Sequence, residues 1–160
     1  MEMYVKVFGI LLLLLSALFG ALFSVSKERK RIEFLRSFAE LLGEIYRQIE
    51  MLDLPLDEIL LRTPEKLTAL CKNAVGEKLT LESVALAAAD MLDKKESELI
   101  NGFVSDIGRG YREEQLRICR YYTASLGDIL SERERDYPKK RKLAFTLSFC
   151  LALGLIILLI

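Results

Sequence analysis

The chain has 160 residues, 52 % of them hydrophobic, with 23 basic and 23 acidic side chains that cancel. Neutrality without a basic excess argues against a nucleic-acid binder. The absence of histidine removes the commonest metal ligand and the commonest general base at neutral pH.

The hydropathy sits at the two ends. Residues 7–25 carry no charge, and neither do residues 143–160. At 1.5 Å per helical residue each stretch is about 27–28 Å long, close to the hydrocarbon thickness of a bilayer. Helix is the form expected there, because backbone groups in lipid must find their hydrogen bonds within the segment. A cleaved signal peptide is the alternative for the first stretch. Its long uncharged run, the lack of a closing Ala-x-Ala and the basic cluster that follows it favour an uncleaved anchor.

Lys27, Arg29, Lys30 and Arg31 follow the first stretch, and Lys139, Lys140, Arg141 and Lys142 precede the second. Both clusters border the middle of the chain, so the positive-inside rule places a domain over 27–142 on the cytoplasmic side. Each apolar stretch also carries small residues every fourth position: Ser16, Gly20 and Ser24 in one, Ala144, Ser148 and Ala152 in the other. Such stripes let helices approach closely in lipid, although a leucine-rich helix also produces them by chance.

In the middle, Ile32, Leu35, Phe38, Ala39, Leu42, Ile45 and Ile49 recur at helical spacing and predict an amphipathic helix over 28–51, continuous with the first anchor. Pro55 and Pro64 punctuate two shorter helices, the second carrying Leu67, Leu70, Cys71 and Ala74 inward. Thr80 is the expected N-cap of a helix over 81–92 with Val84, Ala87, Ala88 and Met91 on its inner face. A helix over 96–107 buries Leu99, Ile100, Phe103 and Ile107, and Gly108 is its expected stop. A long helix follows over 111–137, with Leu116, Cys119, Thr123, Leu126, Ile129 and Leu130 inward and a Glu113–Arg117 surface pair. Pro138 is expected to break or kink that run. No stretch alternates with period two, so the fold expected is all-α. It is an antiparallel bundle of about six helices flanked by an N-terminal and a C-terminal transmembrane helix.

Chemistry is sparse. Asp90 and Asp93 share a helical face, as a magnesium–pyrophosphate site requires, but adjacent Lys94 and Lys95 and the lack of a second acidic pair favour a solvated helix end. Gly108-Arg109-Gly110 follows no strand and lacks the rest of a phosphate loop. The cysteines 71, 119 and 150 have neither metal nor disulfide spacing and read as small buried side chains. No catalytic residue, metal or cofactor is expected.

The run from Ile107 to Leu116, Ile-Gly-Arg-Gly-Tyr-Arg-Glu-Glu-Gln-Leu, sits between a Pro55-Leu56-Asp57-Glu58-Ile59-Leu60 segment and a final apolar helix. In order and length this resembles the stage III sporulation protein AB family of endospore-forming bacteria. Tyr111 departs from the family pattern, which usually has an acidic residue there. The resemblance implies a subunit of the channel assembled between mother cell and forespore, in the mother-cell membrane. It also implies a soluble region similar to the six-helix cytoplasmic domain of the platform protein of type II secretion systems. The partners implied are the secretion-type ATPase called stage III sporulation protein AA, the other membrane subunits of the same operon and the lipid bilayer. Self-association stays open. Arg112, Glu113, Glu114 and Gln115, at the exposed start of the long helix, are the contact residues expected, against the simpler role of stabilising a helix start. A membrane-tethered enzyme acting on lipid or pyrophosphate through Asp90 and Asp93, and a generic membrane adaptor, are the alternatives.

Overall fold

A computed structural model describes residues 2–51, 58, 59, 67, 69, 71 and 80–159, with the side chains at 2–8, 10, 11, 13, 14, 17, 155, 156, 158 and 159 outside the description. Among the described residues there are four helices and no strand: α1 (Glu2–Met51), α2 (Leu81–Met91), α3 (Lys94–Asp106) and α4 (Arg112–Leu159). Glu58, Ile59, Leu67, Ala69 and Cys71 are also helical. The rest of the two short helices expected around Pro55 and Pro64, including Leu70 and Ala74, lies outside the described residues, as does the full count of six.

The chain divides into two compact units, residues 31–132 and residues 1–30 with 133–160. In the first, the core gathers around α1. Leu35, Phe38, Leu42, Ile45 and Ile49 are buried, as their spacing requires, and so are Phe34 and Leu41, which the single stripe leaves out. A helix packed on one side needs only a narrow stripe, whereas one enclosed by several neighbours buries a wider arc. Phe38 of α1, Phe103 of α3 and Tyr122 of α4 form an edge-to-face chain, with centroid separations of 5.8 and 5.5 Å. Such pairs add to the area that aromatic rings bury. Ile59, Leu67 and Cys71 complete the same cluster.

Local signals fix the ends of α2 and α3. The Thr80 hydroxyl accepts from the Ser83 amide at 3.1 Å, and the Thr80 amide donates to Ser83 Oγ at 3.0 Å, a reciprocal cap. α3 starts two residues earlier than its apolar pattern indicates, because Asp93 stands at the N-cap and its amide donates to the Glu96 carboxylate at 3.2 Å. Past its end, Gly108 has φ +83°, the left-handed geometry that ends helices and suits glycine.

Two expectations for α4 change. Thr123 is exposed and Tyr122 is buried in its place. Positions 116, 119, 122 and 126 cover a wider arc than 116, 119, 123 and 126, so the spacing alone favours Thr123; the buried face is instead turned toward α3, where the Phe103 ring meets Tyr122. Pro138 does not end the helix, which continues to Leu159. A proline removes one amide donor but leaves a helix intact where the surroundings hold it on both sides.

In the second unit, among the described residues, no helix is long and apolar enough to cross a membrane. Stretches 7–25 and 143–159 are helical. On α4, Ala152 is buried and Ala144 and Ser148 are half-buried. On α1, Ser16, Gly20 and Ser24 are exposed, while Ala21, beside them, is buried among the described residues.

Candidate functional site

Three side-chain groups stand out, and the first two are built on helix ends. The first is the start of α4. Tyr111 occupies the N-cap position, its carbonyl accepting from the Gln115 amide at 3.1 Å. Arg112 reaches back to the last turn of α1: its Nε donates to the Ile49 carbonyl at 3.1 Å and a terminal nitrogen donates to the Glu50 carbonyl. The last carbonyls of a helix have no partner within it and carry negative dipole charge, so a guanidinium is suited to them. Arg112 is therefore a capping residue of α1.

Gln115 is engaged as well, its side-chain amide donating to the Gly110 carbonyl at 3.1 Å. Glu113 and Glu114 are exposed. Arg117 pairs with Glu114 at 3.6 Å, and not with Glu113 as the sequence spacing suggested. Beside them Tyr111 is 89 % exposed and Met51, at the end of α1, is 75 % exposed. Arg112 holds those two chain segments together, which no spacing rule could reveal, since residues 49 and 112 are far apart in sequence.

The second group surrounds Arg31. Its Nε donates to the Met91 carbonyl at the end of α2 at 2.9 Å, and its Nη1 lies 3.0 Å from Asp93 Oδ1 at the start of α3. One guanidinium thus caps one helix and neutralises the N-cap of the next, clamping the α2–α3 turn onto α1. Asp93 is committed to this pair and to the start of α3, while Asp90 is exposed on α2. Among the described residues, no group of three or more His, Cys, Asp or Glu side chains could hold a metal ion.

The third group lies between the outer parts of α1 and α4. Glu28, with a side chain only 15 % exposed, receives Arg133 Nη1 at 3.1 Å and Lys140 Nζ at 2.8 Å on the same oxygen, Oε1. Burial by itself raises the carboxyl pKa. The hydrogen bonds and charges of Lys140 and Arg133 outweigh it, so the net shift is downward and Glu28 stays ionised. Next to it is a small pocket of about 70 Å³ lined by Ser24, Val25, Glu28, Tyr137, Lys140, Arg141 and Ala144. Further along the same two helices, Leu18, Ala21, Phe145, Thr146, Ser148, Phe149 and Ala152 line an apolar cavity of about 540 Å³.

The cysteines divide by environment. Cys71 and Cys119 are buried, and burial pushes both thiols up to about 11, which makes them poor nucleophiles. Cys150 is exposed on α4, not buried as its apolar surroundings in the sequence suggested. Tyr122 is a buried residue with a polar tip that its spacing in the sequence does not mark as inward. Its hydroxyl donates to Asp106 Oδ2 at 2.7 Å, and burial together with the Asp106 charge pushes its pKa up to about 12.

No curated protein and no solved structure gives a significant match to the chain. A family profile described as stage III sporulation protein AB matches residues 6–160. That match spans the capped start of α4, the Arg31 clamp and both apolar helix ends, and the chain belongs to the stage III sporulation protein AB family.

Proposed function

We propose that this protein is a non-catalytic membrane platform of the channel between mother cell and forespore. In this reading it is anchored by residues 7–25 and 143–160, holds its helical domain in the cytoplasm and couples a secretion-type ATPase to other membrane subunits. The observation that carries the reading is the pair of uncharged, bilayer-length ends, each bordered by a basic cluster on the domain side. Membership of a sporulation family supports the setting. Supporting a contact role, the start of α4 offers exposed Tyr111, Glu113 and Glu114 beside exposed Met51, an aromatic anchor within a charged rim of the kind that interfaces favour. Arg112 and Gln115 serve that surface by shaping it.

The enzyme reading loses support from the same side chains that suggested it. A metal-binding Asp93 would have to release both Arg31 and its place at the start of α3.

The test is fractionation of sporulating cells followed by co-purification. The full-length protein is expected to remain in membranes washed at alkaline pH and, in mild detergent, to retain a secretion-type ATPase of the stage III sporulation protein AA kind. Tyr111→Ser with Glu113→Lys and Glu114→Lys is expected to reduce that retention at least tenfold while leaving melting unchanged. Recovery in the soluble fraction sinks the anchoring. Undiminished retention of the ATPase by the triple variant sinks the contact surface.

A further inference from the structure

The apolar cavity and the small polar pocket between α1 and α4 follow one another along the same two helices. Going along α1, the cavity touches positions 18 and 21 and the pocket positions 24, 25 and 28; along α4 the order is reversed, as it must be for helices running in opposite directions. At 1.5 Å per residue their centres are about 10 Å apart. Of these two neighbouring cavities, one is apolar and the other is basic.

The polar end carries more positive than negative charge. Lys140 and Arg141 line the pocket against the single carboxylate of Glu28, and Glu28 is already satisfied by Lys140 and by Arg133. The exposed Arg141 is therefore surplus cation, and Ser24 and Tyr137 add hydroxyls able to donate. The apolar end has the volume of a small-molecule pocket, and its described lining residues, among them Leu18, Ala21, Phe145, Phe149 and Ala152, include no charged group. A ligand that fits both ends needs an anionic head and a hydrocarbon tail about 10 Å apart.

We propose that this groove binds an anionic phospholipid, its phosphate on Arg141 and Lys140 and one acyl chain between Ala21 and Ala152. The inference rests on the membrane reading above, because only a protein resident in a bilayer meets such a ligand at high concentration. Basic pockets between helices at the cytoplasmic side of a membrane are suited to anionic headgroups. The Glu28 pair has a specific part in this: it fixes Lys140 at the pocket and leaves Arg141 for the lipid.

The experiment uses full-length protein, delipidated in neutral detergent and titrated with phosphatidylglycerol or phosphatidylcholine, with retained lipid read by native mass spectrometry. Phosphatidylglycerol is expected to be retained at least tenfold better. Arg141→Gln is expected to abolish that preference, and Ser148→Phe, which fills the apolar end, to reduce retention of both lipids. Inorganic phosphate at millimolar concentration is expected not to displace the lipid. Equal retention of the two lipids overturns the proposal, as does an unchanged preference in Arg141→Gln. Displacement by phosphate alone reduces the site to a headgroup pocket and overturns the acyl-chain seat. A dimer lost in Ser148→Phe, with no lipid preference, assigns the groove to a second copy of the chain instead. Failure of the membrane reading looks different: the protein then fractionates as soluble, whatever lipid it retains.

Discussion

Tyr122 and Gly102 illustrate how two residues decide one another. A Cβ at position 102 would lie 2.7 Å from the Tyr122 hydroxyl oxygen, too close to tolerate without movement, and that hydroxyl is held by Asp106. Glycine costs a helix interior about 1 kcal/mol relative to alanine, so Gly102→Ala should stabilise α3 on propensity alone. Here it is expected to destabilise by about 1–2 kcal/mol, because the ring must shift in a packed core. In a Tyr122→Phe background the obstruction is gone, and the same change is expected to stabilise by about 0.5–1 kcal/mol. A double-mutant cycle by thermal melting checks the reversal of sign; additive effects would refute it. Tyr122 also predicts a pH dependence. Its folded pKa, about 12, is above the ordinary 10, so the stabilisation from the neutral hydroxyl is complete below pH 10 and fades as pH rises through 12. Alkaline melts of the native protein and Tyr122→Phe are expected to converge over that window.

Helix ends are the element-scale theme. Arg31 and Arg112 each donate to the closing carbonyls of a helix that begins elsewhere in the chain, so each arginine joins two elements. Arg112→Met is expected to cost about 1–2 kcal/mol, since charge-assisted bonds to carbonyls are lost at a partly exposed site. Arg31→Met is expected to cost more, as it leaves the Met91 carbonyl uncapped and Asp93 without this cation. Thr80→Ala, which removes only a local cap, is expected to cost about 1 kcal/mol. Melting curves of the three variants check the order. Much of this level was legible in the residues: Thr80, Gly108 and the inner faces of α2 and α3 announce themselves by type and spacing. Capping by arginine was not, because an arginine in a basic cluster looks the same whether it faces phosphate, water or a carbonyl.

For the whole molecule, the core is expected to be most sensitive where α1, α3 and α4 meet. Phe103 is fully buried and packed edge to face with both Phe38 and Tyr122, so its loss breaks both ring pairs at once. Phe103→Ala is expected to cost about 3–5 kcal/mol, enough to lower the steady-state amount of protein in sporulating cells, as immunoblotting would register. The α4 start contributes little to this core. Surface variants at Glu113 and Glu114 are therefore expected to leave abundance unchanged, which separates loss of a partner from loss of the fold.

The sequence by itself determined the helical class, the faces of the regular helices, the two uncharged ends and their basic flanks. These depend on composition and on periods of three to four residues, and such information is local. The tertiary structure alone decided which charges are committed. Arg112 turned from a candidate contact into a cap, Asp93 from a candidate ligand into the partner of Arg31, and Glu28 from one charge in a run into the hub of Arg133 and Lys140. It also moved the core tyrosine into the place expected of Thr123. Each of these depends on residues distant in the chain meeting within a few ångströms, where the strength of a hydrogen bond or an ion pair is set by a neighbour that no local period encodes.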